Sequence, residues 1–364
     1  NGSYINGIQA QFANRLRLTN NTINLGGTTA SNGSGIFTDF ADSASVITGN
    51  TVNINNTTVL TSGIFIRNSR ALNTNRVTFT SNRVVANSGN TSTIYGIYFA
   101  NNSGVNVLNN TAAINSAGTI AYGLFHLNNS ANMNYYNNSF QVASASTSGY
   151  AGYFNQTATS SWNVQNNIFS NRGGSYALYV NNPGLFVSDY NMLFTSGTNL
   201  VQTATGTPTI FTSLRTWKNA WNWDKSSLVF APTFISNSDL RPNAANANSW
   251  AMNGRAGQIK GNNFDFNNNY RPDSLTAGVP DFGAYEFTPS VPPPALTPTP
   301  TNPTDSTQYF MFGTDTVMKM KWLANPIPAA TVQRFSGVVP ANLPRPRSDS
   351  MFFYTQVSVP SNPN

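Results

Sequence analysis

A unit of roughly 28 residues recurs through the first 197 residues, and it restricts the fold more than any other feature of the chain. The stretches YGIYFANNSGVNVLNN (95–110) and YGLFHLNNSANMNYYNN (122–138) both open on Tyr-Gly, pass through Asn-Asn-Ser and close on Asn-Asn. The recurring glycines are Gly35, Gly63, Gly96, Gly123 and Gly152. The recurring asparagines are Asn21, Asn50, Asn82, Asn110, Asn138, Asn167 and Asn191. A period of this length is typical of a solenoid, in which each repeat buries its apolar face against the next.

Each unit contains three short runs in which apolar and polar residues alternate. One run follows the glycine, as at Ile97 and Phe99, and a second precedes the asparagine, as at Val105 and Val107. A third run follows the asparagine, as at Phe140. Alternation with a period of two is the strand pattern. Three strands per unit predict an all-β fold, a right-handed parallel β-helix of about seven coils of roughly 28 residues.

A leucine-rich repeat is the competing solenoid, because Val105-x-Val107-x-x-Asn110 fits part of its strand signature. That repeat places a helix or irregular structure where this chain has its third alternating run. Charged residues make up only 9% of the chain, and its one glutamate is Glu286. Because a composition rich in Asn, Ser, Thr and Gly favours turns and strands over helices, the β-helix is the better prediction.

The recurring residues have expected structural roles. We expect each glycine to begin a strand. We expect each asparagine to turn a corner in the left-handed conformation, which asparagine tolerates better than other non-glycine residues. Stacked asparagine side chains can also hydrogen-bond from coil to coil as a ladder.

The period ends near residue 197, and the sequence predicts four regions in the chain. Residues 1–197 are the coils, and residues 198–288 are an irregular cap over the last coil, with a short helix that Thr212 or Ser213 begins. Residues 289–306 are a Pro/Thr-rich linker, and residues 307–364 are a small β-domain or a fragment of one.

The coils, the segment NYRPD (269–273) and above all DFGAYEF (281–287) carry a resemblance to a known group of proteins. The chain resembles secreted bacterial right-handed parallel β-helix proteins of the pectate-lyase-like superfamily. The similarity is to the Bacteroidetes-type surface proteins whose β-helix ends in an Asp-Ile-Gly-Ala-Tyr-Glu-like segment. The resemblance implies a secreted or cell-surface, structural or adhesive piece of a larger chain.

Catalytic chemistry finds little support in the sequence. No Asp or Glu occurs between Asp42 and Asp189, whereas glycoside hydrolysis uses a pair of carboxylates and Ca²⁺-dependent lyases use several. The single histidine, His126, is expected to be a wall residue of the solenoid. Asp281 and Glu286 are expected to satisfy backbone donors or to pair with Arg271. We therefore predict no catalytic residue, no cofactor and no metal, and a polysaccharide lyase or hydrolase is the least supported function.

Charge and hydropathy limit the partners. The net charge is +7, but the basic residues are spread out and form no stripe for a phosphate backbone, so nucleic acid is not expected. The densest basic group, Arg67, Arg70, Arg76 and Arg83, is expected to be a solvated loop rather than an anionic-glycan contact. No apolar run reaches eighteen residues, so no direct membrane span is expected.

Two functions remain in competition. The first is a non-enzymatic, exported surface protein whose rigid solenoid is a stalk or adhesive rod, with surface glycans, other surface proteins or itself as partners. The second is a carbohydrate-binding module that uses aromatic side chains on one coil face, namely Tyr98, Phe125, Tyr136 and Tyr153.

A further pattern is the triplet of Asp, then Ser or Thr, then an apolar residue or Thr, which occurs five times. It resembles the O-glycosylation signal of proteins that Bacteroidetes-type bacteria export. The resemblance implies glycans on Ser43, Ser274, Ser306, Thr316 and Ser350.

Overall fold

A computed structural model describes most of the chain. The described residues are 5–26, 32–72, 74–87, 89–118, 120–127, 130–144, 148–156, 162–204, 208–274, 277–299, 307–321, 330–340 and 353–359. Within them the protein is mostly β, with one α-helix, and the part up to Thr195 forms a parallel β-solenoid.

Seven strand triplets, called coils 1–7 below, build the solenoid. Coils 1–4 consist of β1 (Ile5–Asn14), β2 (Arg17–Thr19), β3 (Thr22–Gly26), β4 (Gly33–Asp42), β5 (Val46–Thr48), β6 (Thr51–Asn55), β7 (Thr61–Arg67), β8 (Val77–Thr80), β9 (Arg83–Ala86), β10 (Ile94–Ala100), β11 (Val105–Leu108) and β12 (Thr111–Ile114). Coils 5–7 consist of β13 (Ala121–Leu127), β14 (Asn134–Tyr136), β15 (Ser139–Val142), β16 (Tyr150–Asn155), β17 (Trp162–Gln165), β18 (Ile168–Asn171), β19 (Tyr176–Val180), β20 (Phe186–Asp189) and β21 (Met192–Thr195). The triplets advance through six coil-to-coil steps and make about six turns of ~28 residues.

The three strands of every coil belong to three different parallel sheets. The first strands of the coils pair in the order β1-β4-β7-β10-β13-β16-β19, the second strands pair from β2 to β20, and the third strands pair from β3 to β21. The register advances by about one unit per coil, as in Ile5 opposite Gly33 and Tyr95 opposite Tyr122. This topology confirms the predicted parallel β-solenoid.

The inward side chains of the three sheets form one continuous core. In the third sheet Val52, Val84, Ala112, Phe140 and Phe169 succeed one another in register and are fully buried. Because the strands alternate, each coil contributes a few such side chains, and the core extends along the axis as coils are added.

At the corner between the second and third sheets, one residue bends the backbone and the residue after it forms the asparagine ladder. The residue that takes the left-handed conformation precedes the recurring asparagine: Asn109, Asn137 and Asn166 have φ of 53°, 55° and 62°. The recurring asparagines themselves are absent from the positive-φ residues, so the prediction that they turn the corner is wrong. The paired Asn-Asn of the repeat is therefore a bend residue followed by a ladder residue.

The ladder residues form an unbroken inner column. The side-chain amide of Asn110 donates to Asn138 Oδ1 at 3.0 Å and to the Phe79 carbonyl, also at 3.0 Å. The same side-chain bond links every successive pair, at 2.8–3.1 Å, from Asn21 through Asn50, Asn82, Asn110, Asn138 and Asn167 to Asn191. Six of the seven are fully buried. In each of these bonds the amide donates to the oxygen of the next coil, so every ladder oxygen from Asn50 onward accepts from the coil before it.

The recurring glycines lie inside the strands of the first sheet rather than at their starts. A Cβ on Gly96 would lie 2.5 Å from the Gly123 carbonyl oxygen and 2.8 Å from the Cβ of Ala112 in the third sheet. The register pairs residues on either side of Gly96 but not Gly96 itself. A side chain at Gly96 would therefore clash where the strand bends, whereas coils 6 and 7 accommodate Ala151 and Ala177 at the equivalent position.

Residues 198–230 cover the C-terminal end of the core. β22 (Val201–Thr203) continues the first sheet, and β23 (Thr209–Phe211) closes it as an antiparallel edge. Helix α1 (Leu214–Trp221) begins after the N-cap Ser213, as predicted, and buries Trp217 completely, and β24 (Leu228–Val229) ends the third sheet. Asp224 terminates the inner ladder, because its Oδ1 accepts from the Asn191 amide at 3.1 Å.

Residues 232–287, the flanking segment, return along the outside of the third sheet. Arg83 and Arg172 donate to the carbonyls of Ser238 and Pro232 at 3.1 and 2.7 Å. The strands that it covers are buried on both faces, as β12, β15 and β18 show, whereas β6 alternates between buried and half-buried residues. The expected cap therefore has two parts, an end cover and this lateral cover.

Bend asparagines anchor the flanking segment. Asn262 accepts from the Asn109 amide at 2.9 Å and donates to Asn137 Oδ1 at 3.0 Å. Asn166 exchanges two hydrogen bonds with the backbone of Gly257, at 2.6 and 2.9 Å. Coils 4–6 thus use the first asparagine of each pair to hold the flank and the second to hold one another.

Small antiparallel sheets follow the flanking segment. Their strands are β25 (Pro298–Thr299), β26 (Thr307–Phe312), β27 (Asp315–Lys321), β28 (Thr331–Ser336) and β29 (Phe353–Ser358). Asp315 accepts from Arg255 at 2.6 Å and from Arg334 at 3.0 Å, which ties these sheets to the flank. Within the predicted linker, Val291 accepts from the Trp250 indole at 2.8 Å.

The division of tasks at the corner predicts opposite results for two neighbouring substitutions. Asn82→Ala removes a fully buried ladder amide, so the side chain and backbone N–H of Asn50 lose their shared acceptor, and Asn110 Oδ1 and the Ile47 carbonyl each lose one donor. We therefore expect a loss of about 3 kcal/mol or more in the free energy of unfolding. Ser81→Gly, at φ 53°, relieves a left-handed non-glycine residue and is expected to be neutral or to gain up to about 1 kcal/mol. Guanidinium unfolding of both variants measures the difference, and equal losses would contradict these roles.

Candidate functional site

Aromatic rings cover the outer surface of the first sheet, and this surface is called the aromatic face. Ten rings form it: Phe37, Phe65, Tyr95, Tyr98, Tyr122, Phe125, Tyr150, Tyr153, Tyr176 and Tyr179. All are half-buried except Phe125, which is 8% exposed.

The rings form two columns that run along the solenoid axis. In one column Tyr95, Tyr122, Tyr150 and Tyr176 follow each other with centroid distances of 5.0, 5.8 and 5.5 Å and planes within 9° of parallel. In the other column the rings of Tyr153 and Tyr179 stack at 4.2 Å, and the column reaches back through coils 2–5. The parallel in-register strands impose this stacking, because equivalent residues lie directly above one another.

The inward bend at the glycine brings the two columns together. Tyr95 and Tyr98 are three residues apart and would point to opposite faces of a straight strand. Gly96 and Ile97 both lie on the buried side, so both tyrosines point outward and their ring centroids are 5.2 Å apart. Across the columns the rings meet edge to face, as Tyr122 and Phe125 do at 4.6 Å and 65°.

This packing determines which chemistry the aromatic face offers. The ring faces are occupied by neighbouring rings, so ring edges and phenol groups are what remains for a ligand. Burial raises the pKa of Tyr150 to about 12, and it raises the pKa of Tyr122 further, with contributions from neighbouring tyrosines. The phenol groups of Tyr122 and Tyr150 therefore stay neutral at physiological pH.

The structure brings together three of the four predicted glycan-contact residues. Tyr98, Phe125 and Tyr153 lie in one column of the aromatic face. Tyr136 belongs to β14 in the second sheet and is separate from them. Sequence reasoning missed Tyr95, Tyr122, Tyr150, Tyr176 and Tyr179. Their shared spacing, a tyrosine followed three residues later by another aromatic residue, would have identified them.

His126 is a core residue, in line with the prediction of a wall position. It is fully buried, stacks on Trp162 at a centroid distance of 4.1 Å and shares a hydrogen bond with the Tyr135 hydroxyl. Burial lowers the pKa of His126 to about 3, so its imidazole is neutral under ordinary conditions.

Three of the four grouped arginines have structural partners. Arg67 forms an ion pair with Asp39 at 2.6 Å, and Arg76 donates to Asn106 Oδ1 at 2.6 Å. Arg83 holds the flanking segment, while Arg70 is exposed. Burial alone would raise the pKa of Asp39, but the hydrogen bonds from Arg67 and Asn68 outweigh it and hold that pKa below its usual value.

The closing motif is a buried polar cluster, and both expected roles of its carboxylates are confirmed. Asp281 accepts from the backbone of Gly254 at 2.6 Å and of Phe287 at 2.8 Å. Glu286 accepts from the Asp281 backbone at 3.0 Å and pairs with the buried Arg271. Burial raises the pKa of both carboxyl groups.

The predicted glycosylation residues are spread over the molecule. Ser43 lies half-buried in a turn of coil 2, while Ser274 and Thr316 are exposed. Ser306 and Ser350 lie outside the described residues.

Two searches of the described residues give negative results. No group of three or more His, Asp or Glu side chains there is arranged to hold a metal ion. None of the helices described is long and apolar enough to cross a bilayer. In comparisons with known proteins, no protein family matches the chain, and no curated protein or solved structure shows significant similarity to it.

The buried histidine predicts loss of stability in mild acid. The pKa of His126 is about 3 in the folded state, against an ordinary value of 6.5. Between these pH values the unfolded state binds a proton that the folded state does not, so the free energy of unfolding is unaffected above pH 6.5 and falls as the pH drops toward 3. The full effect is on the order of 5 kcal/mol. We expect His126→Phe combined with Tyr135→Phe to flatten the slope of unfolding free energy between pH 6.5 and 4. Tyr135→Phe alone keeps the histidine and should keep the slope, so an equal slope in both variants would contradict the assignment.

Proposed function

We propose that this protein is a non-enzymatic structural or adhesive protein of a bacterial cell surface, with the solenoid as its rigid rod. The observation that carries the proposal is the inner asparagine ladder together with the continuous core. Both repeat from coil to coil without interruption, which suits a load-bearing or spacing role.

The engagement of the titratable groups supports a non-catalytic role. Ten of the twelve carboxylates lie in the described residues, and each accepts a hydrogen bond from another residue of the chain. In the coils, Asp39 is paired with Arg67 and His126 is buried and neutral. A site for general acid–base catalysis needs such groups to face a substrate.

Glycan binding along the aromatic face is the second candidate function. The observation in its favour is the array of tyrosines at roughly the spacing of the coils. Since neighbouring rings occupy the ring faces, a neutral polysaccharide would contact phenol hydroxyls and ring edges. The usual stacking of a sugar on an open ring face is not available within the columns.

One experiment separates the two functions and the enzymatic alternative. The full chain is applied to an array of neutral and acidic polysaccharides, and released product is measured in parallel. We expect no product release, and product release would contradict the proposal. Binding that is lost in Tyr122→Ser but kept in Tyr136→Ser would favour the second function, because only Tyr122 lies on the aromatic face.

Export with O-glycosylation is part of the proposal. Ser274 and Thr316 are exposed, as a modification site must be, whereas Ser43 is half-buried beside Asp42. We expect glycopeptide analysis of native protein to find hexose-containing mass additions at Ser274 and Thr316. Substituting Asp273→Asn should abolish the addition at Ser274 and leave that at Thr316. Unmodified peptides at both positions would remove the idea.

A further inference from the structure

A cleft near the C-terminal end of the solenoid lies where β21, the flanking segment and the small sheets meet. It is bordered by β21, by residues 229–234, by the start of the 3₁₀ helix Ala247–Ala251 and by the tip of the β26–β27 hairpin at Gly313 and Thr314. Its volume is about 540 Å³, which lies within the range of ligand-binding sites. The residues that line it all fall in the described ranges.

Contacts across the hairpin tip fix one wall of this cleft. The Phe312 ring packs on Phe230 at a centroid distance of 4.8 Å, and Thr314 Oγ1 donates to the Val229 carbonyl at 3.3 Å. A Cβ on Gly313 would lie only 2.5 Å from the Phe230 ring, so the tip lies directly against it. The wall is therefore in place before any ligand arrives.

Arg172 brings one oriented positive charge to the cleft. Its Nε donates to Gln141 Oε1 at 2.9 Å, its Nη2 donates to the Pro232 carbonyl at 2.7 Å, and its Cζ lies 5.7 Å from the centroid of the Phe194 ring. No acceptor in the described part of the chain reaches Nη1, and no Asp or Glu lines the cleft there. A carboxylate is the group that such a guanidinium binds best.

Apolar rings and two side-chain amides surround this charge. Phe194, Phe230 and Phe234 line the cleft and are half-buried. Asn246 Oδ1 accepts from the backbone N–H of Asn248 at 2.9 Å, which leaves Asn246 Nδ2 and the exposed Asn248 side chain without a hydrogen bond to any described residue. The cleft therefore offers apolar surface for a side chain and free amides for a peptide main chain.

A buried hydroxyl in the same wall also lacks a partner. Thr233 Oγ1 makes no hydrogen bond within the described ranges, although buried hydroxyls ordinarily have one. A ligand acceptor at this wall would supply it. We infer that the cleft binds the C-terminal end of a partner polypeptide whose last residue is apolar. Its terminal carboxylate lies on Arg172, and its last side chain packs against the phenylalanine rings.

The balance of polar and apolar groups favours a peptide end over a sugar. A sugar presents hydroxyls all around its ring, and each one that is buried needs a polar partner. The hydroxyls of Thr195 and Thr314 line the cleft but already donate to the carbonyls of Ser175 and Val229. A peptide end needs only a cation, a few main-chain partners and apolar surface, and capture of a terminal carboxylate is a known mode of peptide recognition. The inference rests on the adhesive side of the proposed function, for which it states the chemistry of a partner.

The probe is the peptide Gly-Ser-Gly-Leu with a fluorophore on its amino end and a free terminal carboxylate. We expect it to bind the full chain in fluorescence anisotropy. The same peptide with a terminal amide loses only the charge and should bind at least about tenfold more weakly. Gly-Ser-Gly-Ser keeps the carboxylate but loses the apolar side chain, and it should also bind about tenfold more weakly. In Arg172→Gln the difference between the acid and the amide should disappear.

Two substitutions of exposed asparagines serve as a matched pair that does not depend on Arg172. Asn248→Asp places a carboxylate in the cleft beside that of the peptide and should weaken binding at least about tenfold. Asn219→Asp adds the same charge on α1, outside this cleft, and should change binding by less than about twofold at physiological salt.

The inference is overturned if the peptide acid does not bind, if the acid and the amide bind equally, or if Asn219→Asp weakens binding as much as Asn248→Asp. Binding of sialyllactose that Asn248→Asp abolishes would also overturn it, since an acidic sugar would then be the occupant. Failure of peptide binding leaves the rigid rod of the proposed function standing, whereas product release from a polysaccharide contradicts that function and not this site.

Discussion

The inner column of asparagine amides is the interaction on which the rest of the solenoid depends. Each amide bonds to the next ladder oxygen and to a carbonyl of the preceding coil, so a single side chain fixes both the register and the spacing of neighbouring coils. Burying an amide without these partners would cost more free energy than the hydrogen bonds contribute. Each coil must therefore supply a matching asparagine to the column. The strands, the core side chains and the aromatic columns are stacked in the same coil-to-coil register that this column holds.

The three outer surfaces of the solenoid then serve different ends. The first sheet carries aromatic rings that cover one another, the second sheet carries half-exposed polar residues such as Asn134, and the third sheet is covered by the flanking segment in coils 4–6. The bend asparagines connect these arrangements, since Asn109 and Asn137 both turn the chain and bind Asn262. In each Asn-Asn pair, the first asparagine therefore attaches the flanking segment, and the second links neighbouring coils.

Much of this could be predicted from the sequence, because period-two alternation and a fixed repeat length are direct consequences of stacked strands. The fold class, the ladder positions and the start of α1 followed from such local signals. The roles of the two asparagines could not be separated, since either order places an asparagine at the corner. The aromatic face was only partly identified, because strict alternation would place Tyr95 and Tyr98 on opposite faces of the strand. The bend at Gly96 instead brings both side chains to the outer face. The flanking segment has no period, so its path depends on contacts with coils that are distant in sequence, such as those of Asn262 with Asn109 and Asn137.

The grip of the flanking segment on coils 3–6 has an evolutionary consequence. Any coil inserted by duplication would find a matching donor on one side and a matching acceptor on the other, so the ladder itself tolerates a change of length. The flank does not, because Ser238, Asn262 and Gly257 meet partners on successive coils at a fixed spacing. We therefore expect gain or loss of whole repeats ahead of coil 3 rather than between coils 3 and 6. Relatives of this protein should differ in length there by multiples of one repeat, while the span from Arg83 to Asn166 keeps its number of coils.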